Sequence, residues 1–181
     1  MPEYVRGDIY KVALDGHYDM AVVFGQGLNL MAHTWHDAQR RVSEWRRLKN
    51  PFGAHSNKPV EIEGNTRFWW FVPAERNNGM STEQLLKTFK KIFEWAKKNN
   101  IKTVITNGIS DIDHGHDIYG YDINANRASD NKRVQLISDT VKDYEREGFA
   151  VTLISMSDMY IRMFGGINAD GNPFVPRGNK D

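Results

Sequence analysis

Apolar residues along this chain fall into short uninterrupted runs and longer stretches spaced three or four positions apart. Met20-Ala21-Val22-Val23-Phe24, Thr103-Val104-Ile105-Thr106 and Phe149-Ala150-Val151-Thr152-Leu153-Ile154 are of the first kind. Runs without alternation suit strands covered on both faces. The segments Asp8–Leu14 and Tyr18–Phe24, rich in Ile, Val and Tyr, predict two early strands with Asp15-Gly16 as the turn between them. Val60-Glu61-Ile62 and the stretch from Thr66 to Val72, separated by Gly64-Asn65, read as further strands.

The second kind predicts helices. Trp35, Ala38, Val42, Trp45 and Leu48 form one apolar stripe from Ala32 to Lys49, which Pro51 ends. Ser81-Thr82-Glu83-Gln84 fits a capping box and opens a helix to about Asn99, with Leu85, Phe89, Ile92, Phe93 and Trp95-Ala96 on its buried side. Val134, Ile137, Val141 and Tyr144 mark a third helix from about Ser129 to Glu147, with Gly148 as its stop. Asp158 to Phe164 reads as a short fourth helix. Strands alternating with helices imply an α/β protein, a three-layer α/β/α sandwich around a mixed, mostly parallel central sheet. At 181 residues one domain is expected, spanning 1–164, with the Gly-, Asn- and Pro-containing segment 165–181 as a loosely held tail.

Composition narrows the chemistry. Lys and Arg number 24 against 23 Asp and Glu, for a net charge of +1, so no overall field asks for nucleic acid or an anionic membrane. The absence of cysteine removes disulfides, thiolate nucleophiles and Cys-based metal sites, and fits a cytoplasmic protein. The first residues carry no apolar targeting segment, and the longest strongly apolar run, Phe68-Trp69-Trp70-Phe71-Val72, is far short of the roughly 18 residues of a membrane helix.

In open α/β sheets, ligands bind outside the carboxyl ends of the strands, and two loops here leave strands with glycine and polar residues. The first, Gly25-Gln26-Gly27-Leu28-Asn29, could turn backbone amides and the start of a helix toward a phosphate, although it has neither three spaced glycines nor a P-loop lysine. The second begins at Gly108, Ile109, Ser110 and Asp111 and extends to Arg127, beyond the roughly 12–15 residues typical of unstructured connections. Within it, Asp111, Asp113, His114 and His116 are the residue types that hold a divalent cation, which makes a metal-dependent phosphoesterase one alternative. No calcium-loop motif is matched, because Arg127 stands where such a loop needs glycine. His33 and His36 lie near the first loop without a partnered nucleophile.

In their order, these pieces resemble a macro domain, the ADP-ribose-binding module, from about Tyr4 to Phe164. Val5-Arg6-Gly7-Asp8-Ile9 is similar to the family's Gly-Asp-Ile opening, Ala21-Val22-Val23 to the strand before its first ligand loop, and Ile101 to Ile109 to the strand that delivers its second. Val151-Thr152-Leu153-Ile154, followed by Asp158, Tyr160 and Phe164, is similar to its closing strand and helix. The resemblance implies that Asp8 accepts a hydrogen bond from an adenine amino group with Ile9 beside the base. It also implies that Gly27, Leu28 and Asn29 run near the distal ribose, with Gly25 and Gln26 in the same ligand-binding loop, and that Gly108, Ile109, Ser110 and Asp111 wrap the diphosphate. It implies a small-molecule nucleotide ligand or an ADP-ribosylated macromolecule, no resident cofactor, and, if there is a reaction, hydrolysis with Asn29 and Asp111 at the reacting linkage. The family's glycine run is missing: Leu30, Met31 and His33 stand in that stretch, and Met156 stands where many members carry an aromatic residue. A non-catalytic adaptor that has kept the fold is the remaining alternative.

Overall fold

The computed structural model describes residues 2–24, 59–61, 64–72, 82–107, 127–155, 165–168 and 172–173. Their elements, in chain order, are β1 (Glu3–Arg6), α1 (Ile9–Asp15), β2 (Met20–Phe24), β3 (Val60–Glu61), β4 (Phe68–Val72), α2 (Thr82–Lys98), β5 (Thr103–Thr106), α3 (Arg127–Arg146), β6 (Ala150–Ser155) and β7 (Ile167–Asn168). The strands form one sheet in the order β3-β4-β2-β5-β6-β1-β7. Every pairing is parallel except that of β3 with β4.

Side chains alternate across this sheet and so supply two cores. Met20, Val22, Trp70, Val72, Val104, Val151, Leu153 and Tyr4 point to the face covered by α2, through Leu85, Phe89, Ile92, Phe93 and Ala96, and by α3, through Ile137 and Val141. Val5, Ala21, Val23, Trp69, Ile105 and Ile154 point to the other face, where Ile9, Ala13 and Leu14 of α1 cover them. Strands buried on both sides carry uninterrupted apolar runs, which is why β2, β5 and β6 are readable from sequence. The result is the three-layer α/β/α sandwich with a mixed, mostly parallel sheet that the alternation of elements predicts.

Both long helices end in the same way. After α2, Asn100 takes a left-handed conformation (φ 58°) and the Ile101 amide donates to the Ala96 carbonyl at 3.0 Å. After α3, Gly148 does so (φ 109°) and the Phe149 amide donates to the Tyr144 carbonyl at 3.4 Å. Each closure reverses the chain and puts an apolar residue, Ile101 or Phe149, into the core just before a strand begins. Phe149 packs edge-on against Phe93 at 5.0 Å, and Phe93 stacks on Tyr144 at 4.1 Å, so this closure also joins α2 to α3.

One expectation is corrected. The segment 8–14 is not a strand but supplies most of helix α1, Ile9–Asp15: Ile9, Val12 and Ala13 recur at helical spacing, and Asp15-Gly16 closes the last turn, with the Gly16 amide donating to the Val12 carbonyl at 2.8 Å. Its β-branched and aromatic content masks that periodicity. The first strand is instead the four residues of β1, too short to announce itself. In the segment expected to be a loose tail, Ile167–Asn168 pair in parallel with Val5 and Arg6 as an edge strand. Gly166 permits this approach, since a Cβ there would lie 2.4 Å from the Tyr4 carbonyl oxygen. The helix predicted over Ala32–Lys49, with His33 and His36, and the one over Asp158–Phe164 lie outside the described residues, as does Met156.

At the amino-terminal edge of the sheet one carboxylate ties two strands together. Asp19 accepts hydrogen bonds from the amides of Lys102 (2.8 Å) and Thr103 (3.2 Å), and its own amide donates to Thr103 Oγ1 at 2.8 Å. This bracket holds the starts of β2 and β5 in register; at the other end β2 runs on to Phe24, two residues past Val22, which pairs with the last residue of β5, Thr106.

Three tyrosines give the fold an alkaline limit. Burial is the main cause that raises the Tyr4, Tyr18 and Tyr144 hydroxyls above their ordinary value. For Tyr4 and Tyr18 it outweighs hydrogen bonds with Ser138 and Thr152, and nearby carboxylates add to it at all three. A group whose folded pKa is raised contributes stability that is complete below its unfolded value, about 10, and disappears as pH climbs through the folded one. Unfolding free energy, measured by denaturant titration between pH 8 and 11, is therefore expected to fall above pH about 10, and less steeply in Tyr18→Phe. A rise in stability over that window would contradict the assignment.

Candidate functional site

The chain's path through the sheet selects one crevice. From β5 it steps through α3 to β6 on one side, whereas from β2 it passes to β4 on the other. β2 and β5 are nevertheless hydrogen-bonded neighbours, with Val22 opposite Thr106. The chain's direction of travel across the sheet thus reverses between β2 and β5, and such a topological switch point is where open α/β sheets place ligands. The crossovers agree on one hand. β4-α2-β5 and β5-α3-β6 advance along the sheet with helices on one face, and β1-α1-β2 retreats with its helix on the other. Parallel crossovers share a hand almost without exception, and here that leaves the carboxyl ends of β2, β5, β6 and β1 on one edge.

The two strand tips are fixed to each other. Thr106 Oγ1, fully buried, donates to the Val22 carbonyl at 2.9 Å, and the Asn107 amide approaches the same oxygen at 3.4 Å. The ladder thus continues one residue beyond β5 to Asn107, which is 8% exposed. Both loops singled out from the sequence begin here, the first after Phe24 and the second after Asn107. Gly25, Gln26, Gly27, Leu28 and Asn29, and likewise Gly108, Ile109, Ser110 and Asp111, lie outside the described residues, as do Asp113, His114 and His116. The expected catalytic pair, Asn29 and Asp111, belongs to this set.

Asp8 and Ile9 are described. The chain leaves β1 at Arg6, bends at Gly7 and enters α1, whose first turn is closed by the Val12 amide donating to the Asp8 carbonyl at 3.0 Å. Asp8 therefore holds the cap position of α1 at the carboxyl edge of the sheet, half-buried. Ile9 is 2% exposed and packs into the α1 core. β1 and β5 are separated only by β6, a lateral distance of two strand spacings, about 10 Å. The structure thus brings Asp8 to the same edge as the two loop origins. Asn107 is half of an Asn-Gly turn pair in its local sequence, and its burial beside Val22 follows only from the β2–β5 pairing. Among the described residues no group of His, Asp and Glu could hold a metal ion.

No family profile and no curated sequence matches the chain. Solved structures do. The Trypanosoma brucei macrodomain (crystal form 1) is 15% identical with a TM-score of 0.50, the likeness covering 87% of this chain and 62% of that one. The same protein in complex with ADP-ribose gives 14% identity and 0.49, covering 87% and 65%. The macrodomain of Thermus aquaticus DarG gives 12% and 0.47, covering 86% and 98%. At such identities a likeness speaks for the fold alone, and the fold of this chain is that of a macrodomain.

Proposed function

We propose that the chain binds an ADP-ribose-type or related nucleotide across the carboxyl ends of β1, β5 and β2. The observation that carries this reading is the switch point: β2 and β5 are hydrogen-bonded neighbours whose next strands lie on opposite sides of the sheet, and glycine follows in sequence at Gly25 and Gly108. Main-chain amides gathered at such a place suit a diphosphate, because their partial positive charge is held by the backbone and costs no side-chain ordering when an anion arrives. In this reading Asp8, which follows β1 on the same edge of the sheet, reads the base. The T. brucei macrodomain has been crystallised with ADP-ribose, which makes that molecule the first to try.

Hydrolysis of the distal linkage is the further step of this proposal, with Asn29 or Asp111 orienting water. An ADP-ribosylated macromolecule would present the same group to the crevice. Calorimetric titration of the metal-free protein with ADP-ribose, and separately with manganese or zinc, tests the reading. Saturable heat with ADP-ribose is expected; heat with metal alone would favour the phosphoesterase, and silence in both the adaptor.

A further inference from the structure

The net charge of +1 conceals a local imbalance. From Lys87 to Lys102 the chain has six lysines and one acid, Glu94, and all six lysines are exposed. Four of them divide between two flanks of α2. Lys90 and Lys97 share the flank of Phe93, which stacks on Tyr144 and so faces α3. Lys91 and Lys98 lie one turn before and one turn after Trp95, on the opposite flank, beside β4.

On that second flank the cations meet aromatic rings. Trp95 is half-buried and packs at near right angles against Trp70 (6.0 Å) and Phe68 (5.5 Å), so neither stacks face to face on the indole. Phe68 is half-buried too, and the exposed Arg67 holds its guanidinium 4.9 Å from the centre of the Phe68 ring. Lys91 has a further interaction within the protein, so Arg67 and Lys98 carry the charge argument. Two acids adjoin the patch among the described residues: Glu94, next to Trp95 in the helix, and Glu61, opposite Phe68 in β3. The negative end of the helix dipole explains lysines at 97 and 98, but not an arginine held over a ring on the strand beside them. Phe68 pairs with Met20, the first residue of β2, and Trp95 lies in the last turn of α2, so the patch sits toward the amino-terminal edge of the sheet, away from the nucleotide crevice.

Flat rings set among cations suit one polyanion in particular. A single strand of nucleic acid offers phosphates to the cations and unstacked bases to indole and guanidinium planes, whereas a duplex keeps its bases stacked on one another. An anionic membrane fits less well: Trp95 and Phe68 are packed against the core, and the exposed large hydrophobic residue among those described, Leu136, is on α3. We infer that Arg67, Phe68, Trp95 and Lys98 form a docking surface for single-stranded nucleic acid, separate from the nucleotide crevice.

Fluorescence anisotropy of labelled oligothymidine and oligouridine of about 12 nucleotides, titrated with the full chain at low salt, tests this. Saturable binding of at least one is expected, weakening as salt rises. Arg67→Glu with Lys98→Glu should weaken it by about tenfold or more, while Lys90→Glu with Lys97→Glu, an equal change of charge on the other flank, should cost less than about threefold. Trp95→Leu should cost about fivefold or more, as expected for one lost stacked base. Saturating ADP-ribose should leave the affinity unchanged.

Equal losses from the two charge-reversed pairs would show attraction by net charge alone and overturn the proposal. Competition by ADP-ribose would put the strand in the crevice and overturn it too, as would co-sedimentation with phosphatidylserine vesicles in place of oligonucleotide binding. If Trp95→Leu does not fold, judged by its melting temperature, the paired charge reversals decide. The oligonucleotide titrations need no ADP-ribose, so failure of the crevice reading would leave this one standing.

Discussion

Trp70→Ala is expected to cost about 3–5 kcal/mol of folding free energy, the usual range for truncating a large aromatic in a core. Trp70 is 1% exposed in β4, opposite Val22 of β2, and meets Trp95 of α2 edge-on at 6.0 Å. Alanine would leave a void between the sheet and the helix that delivers β5, too well framed by Val22, Leu85 and Phe89 to collapse. Since domains of this kind hold together by about 5–15 kcal/mol, such a loss leaves a marginal protein. Urea titration of Trp70→Ala and Trp70→Phe measures it, with a much smaller loss in the second. Leu136→Ala, at a position 45% exposed on α3, serves as control and should stay within about 0.5 kcal/mol. A loss below about 1 kcal/mol in Trp70→Ala would mean that α2 does not pack on this face as described.

Asp8→Ala is expected to weaken an adenine-containing ligand by about 1–3 kcal/mol, the scale of a lost hydrogen bond to a charged group, or roughly fivefold to 150-fold in affinity. The bond that closes the first turn of α1 runs to the Asp8 carbonyl and survives any side-chain change, so the fold should persist, with a helix-cap loss of about 1 kcal/mol at most sites of this kind. Asp8→Asn keeps an acceptor and should lose less. A hypoxanthine counterpart of the ligand, which lacks the amino donor, should bind wild type and Asp8→Ala with nearly equal affinity. Unchanged affinity for the adenine ligand in Asp8→Ala would remove Asp8 from the site.

The fold is legible in the sequence where a segment is either long and periodic or short and wholly apolar. α2 announces itself by its capping box and by Leu85, Phe89, Ile92, Phe93 and Ala96; β2, β5 and β6 do so by runs that only a doubly covered strand can carry. α1 misleads because its seven residues include Ile, Tyr and Val, and a helix of two turns offers too few repeats for periodicity to outweigh β propensity. β1 and β7 escape because four and two residues have no pattern of their own, and it is pairing with β6 and with each other that makes them strands.

The site is legible in part. Glycine and polar residues after two apolar runs point to the loops, but their adjacency is a property of topology, and no local spacing reports that β2 and β5 are neighbours while β4 lies beyond β2. Asn107 illustrates the limit. Next to Gly108 it reads as a turn; beside Val22 it becomes a buried residue at the carboxyl edge of the sheet.

The central claim is a location, the carboxyl edge of β1, β5 and β2, and amide hydrogen exchange with and without saturating ADP-ribose tests it most directly. Protection is expected in peptides carrying residues 6–9, 22–29 and 105–111, while peptides at the opposite edge, around Asp19 and Lys102, should exchange as before. Protection confined to the Asp19 edge, or none anywhere under conditions where ADP-ribose binds, would contradict the account.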